Sequence, residues 1–460
     1  MWVYVVKGGI KRCAFIISLV VAVLFTSSFA VAERNFDQAK MDQYLQSLVE
    51  HNKATLSVVF TEKGKVTYRK QTALPAEAVT AFKGNPQYKA GSITKTFTSV
   101  LMFQQIEQGK LTLSTPLSDF YPNIKNAEKI TIAQLLSHRS GIFNYTNAPE
   151  FNTYFTQYQD KGEMLARIAS YESVFEPDTS YEYSNSNYAL LGYILEDVTG
   201  KSYTDLVQDN IIKPLNLKET RYCVEKASCA DELKSFYFYQ NHWNLMPQWS
   251  MSVANSAGAV ISTPYDLTRF IRALFHGELI SSQSLVMMKG ITNKTSKGLF
   301  KTPFYARSSY GHRGKIESFL SDVSYFEADD VAVSVTVDAL NYNFNDIIIA
   351  VLSIYYDRPF ELPDFDRKPI ALDVAQLQKY EGTFTTPNVD VAIKVFVQDG
   401  VLMMQAAGQA PLPAEPYSLH EFEYKPAGIL CKFAKSKDGA VDYTQFTLHQ
   451  VDWVLPYSKQ

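Results

Sequence analysis

Ser92 and Lys95 stand three residues apart in the stretch Lys89-Ala-Gly-Ser-Ile-Thr-Lys-Thr-Phe-Thr-Ser-Val-Leu-Met-Phe-Gln-Gln-Ile-Glu-Gln-Gly109. If this stretch is helical, the two side chains share a face, and an unprotonated Lys95 amine can take the Ser92 proton. The product is an alkoxide able to attack a carbonyl carbon. A helix N-terminus beside it favours negative charge on the nucleophile or on the attacked oxygen. S-x-x-K also occurs by chance, with Lys95 a solvated helix lysine and Ser92 an N-terminal cap. Two further pieces make the spacing informative: Tyr183-Ser-Asn185 and His312-Arg-Gly314. A phenol beside an activated serine can serve as base toward the nucleophile and then as acid toward the leaving group, while an asparagine amide can hold a substrate carbonyl. A strand edge near Gly314 could present a backbone N–H opposite that of Ser92, and the pair would stabilise the oxyanion of a tetrahedral intermediate. Together these groups describe acyl transfer.

Such groups need a scaffold, and the pattern supplies one. Gly91 lets the chain turn into a helix whose apolar face holds Phe97, Val100, Leu101 and Ile106, with Gly109 as its stop. Upstream, Asp37 to His51 reads as an amphipathic helix, and Leu56–Phe60 and Val66–Tyr68 as a hairpin around Lys63-Gly64. Downstream come a short helix within Ile130–Gly141 closed by glycine, and an aromatic-rich stretch over 143–180, read as ordinary helical packing or as a lid. Helices follow over Tyr188–Val198 and Tyr265–His276, then a strand over Val331–Val337 and a closing helix over Asn345–Tyr356. Asp357 to Pro369 carries three prolines and suits an extended connector. Beyond it the period becomes two: Val389, Val391, Ile393, Val395 and Val397 alternate with mostly polar residues, and Asp399-Gly400 and Asp438-Gly439 mark hairpins. This last part reads as a small antiparallel barrel or sandwich.

Taken in order, Ser92-x-x-Lys95, Tyr183-x-Asn185 and His312-x-Gly314 resemble the serine β-lactamase-like hydrolases of the class C and D-alanyl-D-alanine carboxypeptidase type, a family that also holds D-aminopeptidases and esterases. Supporting stretches are Ile130–Ile142, Tyr183–Ile194, Ile212–Leu217, Ser256–Thr263 and Gly311–Phe319, and the resemblance runs from about Asp37 to about Tyr356. It implies an α+β sandwich, with an antiparallel sheet and an all-α subdomain. It makes Ser92 the acylated nucleophile, Lys95 its proton acceptor or electrostatic partner, and Tyr183 the phenolic acid/base; which of Lys95 and Tyr183 is the base stays open. Asn185 would position the substrate amide. The amides of Ser92 and Lys315, beside Gly314, would form the oxyanion hole, with His312 flanking the substrate. Family members acting on β-lactams and D-Ala-D-Ala usually carry a lysine where His312 stands. A histidine is mostly neutral at pH 7, which moves weight from carboxylate-bearing substrates to esters or other amides, with Arg313 a source of some anion affinity. Leu377-Gln-Lys-Tyr-Glu-Gly-Thr-Phe384 resembles the start of the lipocalin-like β-barrel domain appended to many members.

The resulting organisation is a signal peptide over 1–32, a hydrolase domain over 33–356, a linker over 357–370 and a β-barrel domain over 371–460. The leader reading rests on Lys7, Lys11 and Arg12, an apolar run from Ala14 to Phe25 that is short for a membrane span, and the small-residue end Ala30-Val-Ala32. Its cleavage would take the formal net charge from −3 to −6 and leave a periplasmic or secreted protein; an uncleaved leader would anchor it. Of the four cysteines, Cys431 reads as a buried thiol, and Cys223 and Cys229 either close a small disulfide loop or remain free. The 460 residues suit two domains, and a composition that is 46% hydrophobic provides a sizeable core.

Rival chemistries lack their residues. The seven histidines contain no pair two to four apart, so no metal centre is expected. No G-x-S-x-G elbow occurs, nor any glycine pair two apart for a nucleotide loop. No cofactor is implied, and the small net charge excludes nucleic acid as a partner. The sequence thus reads as an exported serine hydrolase acting on a small ester, amide or peptide. The alternative is a non-catalytic relative that binds cell-wall fragments or joins an assembly.

Overall fold

Val331–Leu340 is buried on both faces along nearly its whole length, Ser334, Thr336 and Asp338 included. The alternation read from the sequence marks a strand there but not a half-exposed one. A strand of this kind must be central and covered on both sides. The structure, a computed structural model, describes residues 36–72, 86–224, 233–290, 296–407, 409–424, 429–450 and 453–460. The expected leader over 1–32 and Cys229 lie outside the described residues, and no described helix is long and apolar enough to cross a membrane.

Six of the eight strands of the first sheet form its main path: β1 (Ala54–Glu62), β2 (Lys65–Gln71), β3 (Phe300–Phe304), β4 (Arg307–Ile316), β5 (Phe319–Phe326) and β6 (Val331–Leu340), with Phe236–Tyr239 and His242–Leu245 a hairpin added at the end of β6. The six run in the order β2-β1-β6-β5-β4-β3, each antiparallel to its neighbour. Lys63 and Gly64 turn the first hairpin with φ of 51° and 78°, the positive values that a two-residue turn matching strand twist requires. The main helices are α1 (Gln38–Glu50), α2 (Thr94–Glu107), α3 (Asn185–Thr199), α4 (Met251–Gly258), α5 (Pro264–Phe275) and α6 (Phe344–Tyr355). α6 reaches the sheet where Tyr355 stacks on Phe60 of β1 at 4.0 Å, and α5 packs against β1, β5 and β6. α2, α3 and α4 pack on one another as a helical region, tied to α5 by the Phe97–Phe270 stack at 3.7 Å. This is the expected α+β arrangement.

Local differences from the sequence reading have physical causes. The helix expected within Ile130–Gly141 spans only Ile132–Leu136, because His138 leaves the helical region at φ 56°. Gly141 serves instead at a close approach, where an added β-carbon would lie 2.0 Å from the Phe175 carbonyl oxygen. α3 starts at Asn185 rather than Tyr188 and ends on Gly200 at φ 67°.

The second sheet comprises β7 (Gly382–Thr386), β8 (Val389–Gln398), β9 (Val401–Ala406), β10 (Glu421–Tyr424), β11 (Ile429–Lys435), β12 (Val441–Gln450) and β13 (Trp453–Lys459), with short pieces Leu412–Pro413 and Glu415–Pro416 at its two ends. Those end pieces are separated only by Ala414, so this nine-stranded antiparallel sheet is a nearly closed barrel. The proline-rich connector before it is extended but docked. Phe360 packs on Tyr44 and its carbonyl accepts from Lys40 Nζ, while Arg367 pairs with Glu421 and Glu423 of β10.

Asp338 in β6 is fully buried near Thr55 and Tyr88, and burial pushes its carboxyl up to about 7. Below its ordinary value of 3.8 it is neutral in both the folded and unfolded chain. Between about 4 and 7 only the unfolded chain ionises, so folding stability falls as pH rises through that window, by an amount on the order of a few kcal/mol. Asp338→Asn is expected to flatten this slope. Urea unfolding of both proteins at pH 4.5 and pH 8 measures it, and parallel slopes would refute the assignment.

Candidate active site

Ser92 sits in the 3₁₀ turn Gly91–Ile93 that leads into α2 rather than on the helix itself. Gly91 makes that turn at φ 52°, and a β-carbon there would lie 2.8 Å from the Lys315 backbone nitrogen. Glycine is therefore required twice, for the turn and for the approach of β4. From the other side, a β-carbon at Gly314 would lie 1.9 Å from the Ala90 carbonyl oxygen, which accepts from Ser321 Oγ at 2.8 Å. These two glycines bring the Lys315 amide beside the turn that carries Ser92.

α2 is buried all round, not along one stripe. Its polar residues have partners: Thr96 Oγ1 donates to the Gly298 carbonyl at 2.8 Å and Thr98 Oγ1 to the Ser256 carbonyl at 2.6 Å. Lys95, fully buried, is no solvated helix lysine. Its Nζ lies 2.9 Å from Ser92 Oγ, 2.8 Å from Asn185 Oδ1 and 2.8 Å from the Ala257 carbonyl oxygen. All three partners are uncharged, and burial pushes the lysine pKa well below its ordinary value. A neutral amine has two hydrogens and one lone pair. The two carbonyl-type oxygens take the hydrogens, which leaves the lone pair facing the Ser92 hydroxyl.

Tyr183 Oη donates to the same Ser92 Oγ at 2.7 Å. Burial raises its pKa above the ordinary phenol value, so it stands as a phenol. Its ring lies on that of His138 with centroids 4.4 Å apart, and His138 Nδ1 accepts from the Ser184 amide. Burial, Lys95 and His312 all keep His138 neutral. His138 thus supplies both packing and a local hydrogen bond directly behind Tyr183.

Asn185 uses both ends of its amide inside the protein, its oxygen on Lys95 and its nitrogen on Thr146 Oγ1 at 3.1 Å. It is not among the residues lining the cleft. That cleft has a volume of about 760 Å³, and its walls include Ser92, Tyr183, Phe300, His312 and Lys315. His312 donates from Nδ1 to the Arg313 carbonyl at 2.6 Å, and its buried Nε2 has no protein partner. Burial and Lys95 lower its pKa to about 3, so Nε2 is an acceptor. Arg313 is engaged by Asp322 at 3.0 Å and by Asn345 at 2.9 Å.

Two supports escaped the sequence reading. Lys89 and Glu317 form a buried ion pair at 2.6 Å, both almost wholly excluded from water. Lys89 lies three residues before Ser92 and Glu317 two after Lys315, so the pair fastens the two strand ends that meet at the site. Glu317 also accepts from the Trp249 amide at 2.8 Å. A charged residue inside each of the two motif stretches was the available signal. The second support is Asn255, at φ 43° and ψ −146° inside α4, a region a side chain rarely adopts. Its side chain is held by Tyr222, Tyr193 and the Ser256 amide. The bend it makes precedes Ala257, whose carbonyl meets Lys95. No spacing in the sequence announces it. Cys223 is disulfide-bonded, with its partner outside the described residues; Cys431 is a buried free thiol.

A family model described as Beta-lactamase matches residues 39–337. The chain is similar to Penicillin-binding protein 4* of Bacillus subtilis, 23% identical over 394 residues that cover 78% of this chain and 85% of that protein. It is also similar to Protein flp of Staphylococcus aureus and to Penicillin-binding protein 4 of Amycolatopsis lactamdurans, 30% and 31% identical, but over only 38% and 50% of those proteins and 39% and 40% of this chain. Among solved structures it is similar to a D-stereospecific amidohydrolase from Streptomyces sp., with 26% identity, TM-score 0.58, and coverage of 66% of this chain and 95% of that one. It also shares the fold of the octameric penicillin-binding protein homologue from Pyrococcus abyssi, at 21% identity, TM-score 0.63, and coverage of 91% and 99%.

Removing one partner of the Lys89–Glu317 pair leaves the other charge buried and uncompensated. Glu317→Gln is expected to lower unfolding free energy by about 3–5 kcal/mol, read from the urea midpoint at unchanged slope. Adding Lys89→Met should recover part of the loss. A single variant as stable as the parent would show that the pair anchors nothing.

Proposed function

The chain belongs to the beta-lactamase family, and from that premise we propose that it is a serine hydrolase which opens small esters and amides through an acyl-enzyme on Ser92. The observation that carries this reading is the convergence of Lys95 Nζ and Tyr183 Oη on Ser92 Oγ, at 2.9 and 2.7 Å, at the wall of an open cleft. A binder has no need of a nucleophile with a neutral amine beside it.

In this reading Lys95 is the base. It accepts the Ser92 proton as Oγ bonds to the substrate carbonyl carbon, and the new oxyanion is held by the amides of Ser92 and Lys315. Tyr183, a phenol at rest, gives its proton to the leaving oxygen or nitrogen as that bond breaks. The Lys95 ammonium returns a proton to the Tyr183 phenolate; water then attacks the acyl carbon and gives one proton to Lys95, which passes it to Ser92 Oγ as the ester bond breaks and the acid departs. Asn185 acts by fixing Lys95, and His138 by fixing Tyr183.

His312 ranks the substrates. Its neutral, unpartnered Nε2 suits a substrate that offers an N–H or O–H, and no cation stands in place of the usual lysine to hold a carboxylate. Esters and D-aminoacyl amides, the latter in line with the D-stereospecific amidohydrolase it resembles, therefore rank above β-lactams and D-Ala-D-Ala peptides. We also propose that the protein works outside the cytoplasm, delivered by the leader pattern over 1–32, and that the hydrolase (33–356) and barrel (371–460) are its two domains.

A fluorophosphonate probe is expected to label the parent and not Ser92→Ala, with ester kcat/KM falling roughly 10⁴- to 10⁶-fold. Absence of labelling in folded parent protein would favour a binding role. A panel of p-nitrophenyl acetate, D-alanine p-nitroanilide and a chromogenic cephalosporin should show turnover of the first two above the third, and the reverse order would sink the substrate ranking.

Because Lys95 must be unprotonated to act, kcat/KM should rise with pH along one ionisation well below the ordinary lysine value of 10.5. A profile still climbing at pH 10 would remove Lys95 as the base.

A further inference from the structure

The barrel is packed at one end and hollow at the other. At the closed end Tyr380, Phe384, Phe433 and Phe446 interlock, with ring centroids 4.9–5.3 Å apart across the Tyr380–Phe433, Phe384–Phe446 and Phe433–Phe446 pairs. Toward the other end the inward side chains become mostly aliphatic, and a cavity of about 720 Å³ replaces the packing. The change is visible along β8: Val395, Ile393 and Val391 face the same way, and their exposure climbs from 1% to 6% to 39%. The four residue steps from Val389 to Ile393 run about 13 Å along the cavity wall.

Among the described residues its wall is mostly apolar and carries no charge. Val391, Met404, Ala406, Leu448 and Leu455 line it, and Met404 touches the buried Cys431 thiol at its floor. Gln409 and Gln450, the amide-bearing residues of the wall, come from the strand ends at the open side. Protein interiors close voids of this size because an unfilled apolar wall forfeits both contacts and burial. The volume falls in the range of small-molecule sites.

We propose that the open half of the barrel binds one linear acyl chain, its tail among the aliphatic residues and its polar end beside Gln409 and Gln450. A wall built mostly of aliphatic residues, with Phe422, Tyr424 and Tyr457 its aromatic ones, offers few polar partners and fits an unfunctionalised chain better than a polar ring system, and the depth suits a chain lying lengthwise. This site is separate from the Ser92 cleft and does not depend on the activity proposed there.

The test uses full-length protein carrying Ser92→Ala, so that hydrolysis plays no part. Titration with dansyl-labelled undecanoic acid should show one saturable site per chain, displaced by unlabelled hexadecanoate. Ala406→Trp and Val391→Trp fill the cavity, and each should weaken binding at least about tenfold while leaving ester hydrolysis unchanged when Ser92 is restored. Two variants are used so that misfolding of one does not decide the result. The proposal is overturned if binding does not saturate or if folded cavity-filled variants bind as the parent does. It is likewise overturned if an apolar decapeptide displaces the probe where hexadecanoate fails, or if acylation of Ser92 in the parent blocks the probe.

Discussion

Burying a lysine amine without a counter-charge is the constraint on which the rest of the beta-lactamase-like part of the chain depends. Lys95 is surrounded only by neutral acceptors, and withdrawal from water makes its neutral form the stable one. That condition demands enclosure. α3 supplies Asn185, α4 supplies the Ala257 carbonyl, and α2 is consequently covered on every side. The near-complete burial of α2, which its composition of threonines, serine and glutamines conceals, is thus a requirement of the chemistry as much as of packing.

The second requirement is that a strand edge reach the turn that carries Ser92. β4 meets the Ser92 turn because neither Gly91 nor Gly314 carries a β-carbon, and the ion pair of Lys89 with Glu317 closes the contact a few residues away. A buried pair of this kind adds little net stability over apolar residues of similar volume. Its value here is positional, since only one register of β4 against the Ser92 segment lets the two charges meet.

Much of this was legible in the chain. Period-two alternation marked the barrel strands, glycine placement marked the turns at Gly64, Gly400 and Gly439, and the motif order carried the fold of the first part. Ser92, Lys95 and Tyr183 could be singled out because their side chains are chemically unusual at their spacing. Where reading failed, the determining contacts were long-range. Nothing local tells that Ser334, Thr336 and Asp338 lie in a doubly covered strand, that Asn255 bends α4 to aim a carbonyl at Lys95, or that Asn185 turns its amide inward. The early end of the helix at Leu136 follows from His138, whose left-handed backbone is fixed by its place behind Tyr183.

Lys95, His138 and His312 also form a single electrostatic unit. Burial lowers the pKa of each; Lys95 lowers that of both histidines, and His312 lowers that of His138. A proton on any one therefore raises the energy of a proton on the others. The site rests with all three neutral and accepts one proton at a time, and the group in contact with Ser92 Oγ is the one placed to receive it. A lysine in place of His312 would introduce a second amine able to take a proton beside Lys95, and the pocket would then have to hold or neutralise it, as a bound carboxylate does. With histidine there, the charge balance of the pocket is complete without an anionic substrate. In the reading proposed above, the residue that offers no fixed charge to a carboxylate is thus also one that leaves Lys95 free to accept the Ser92 proton.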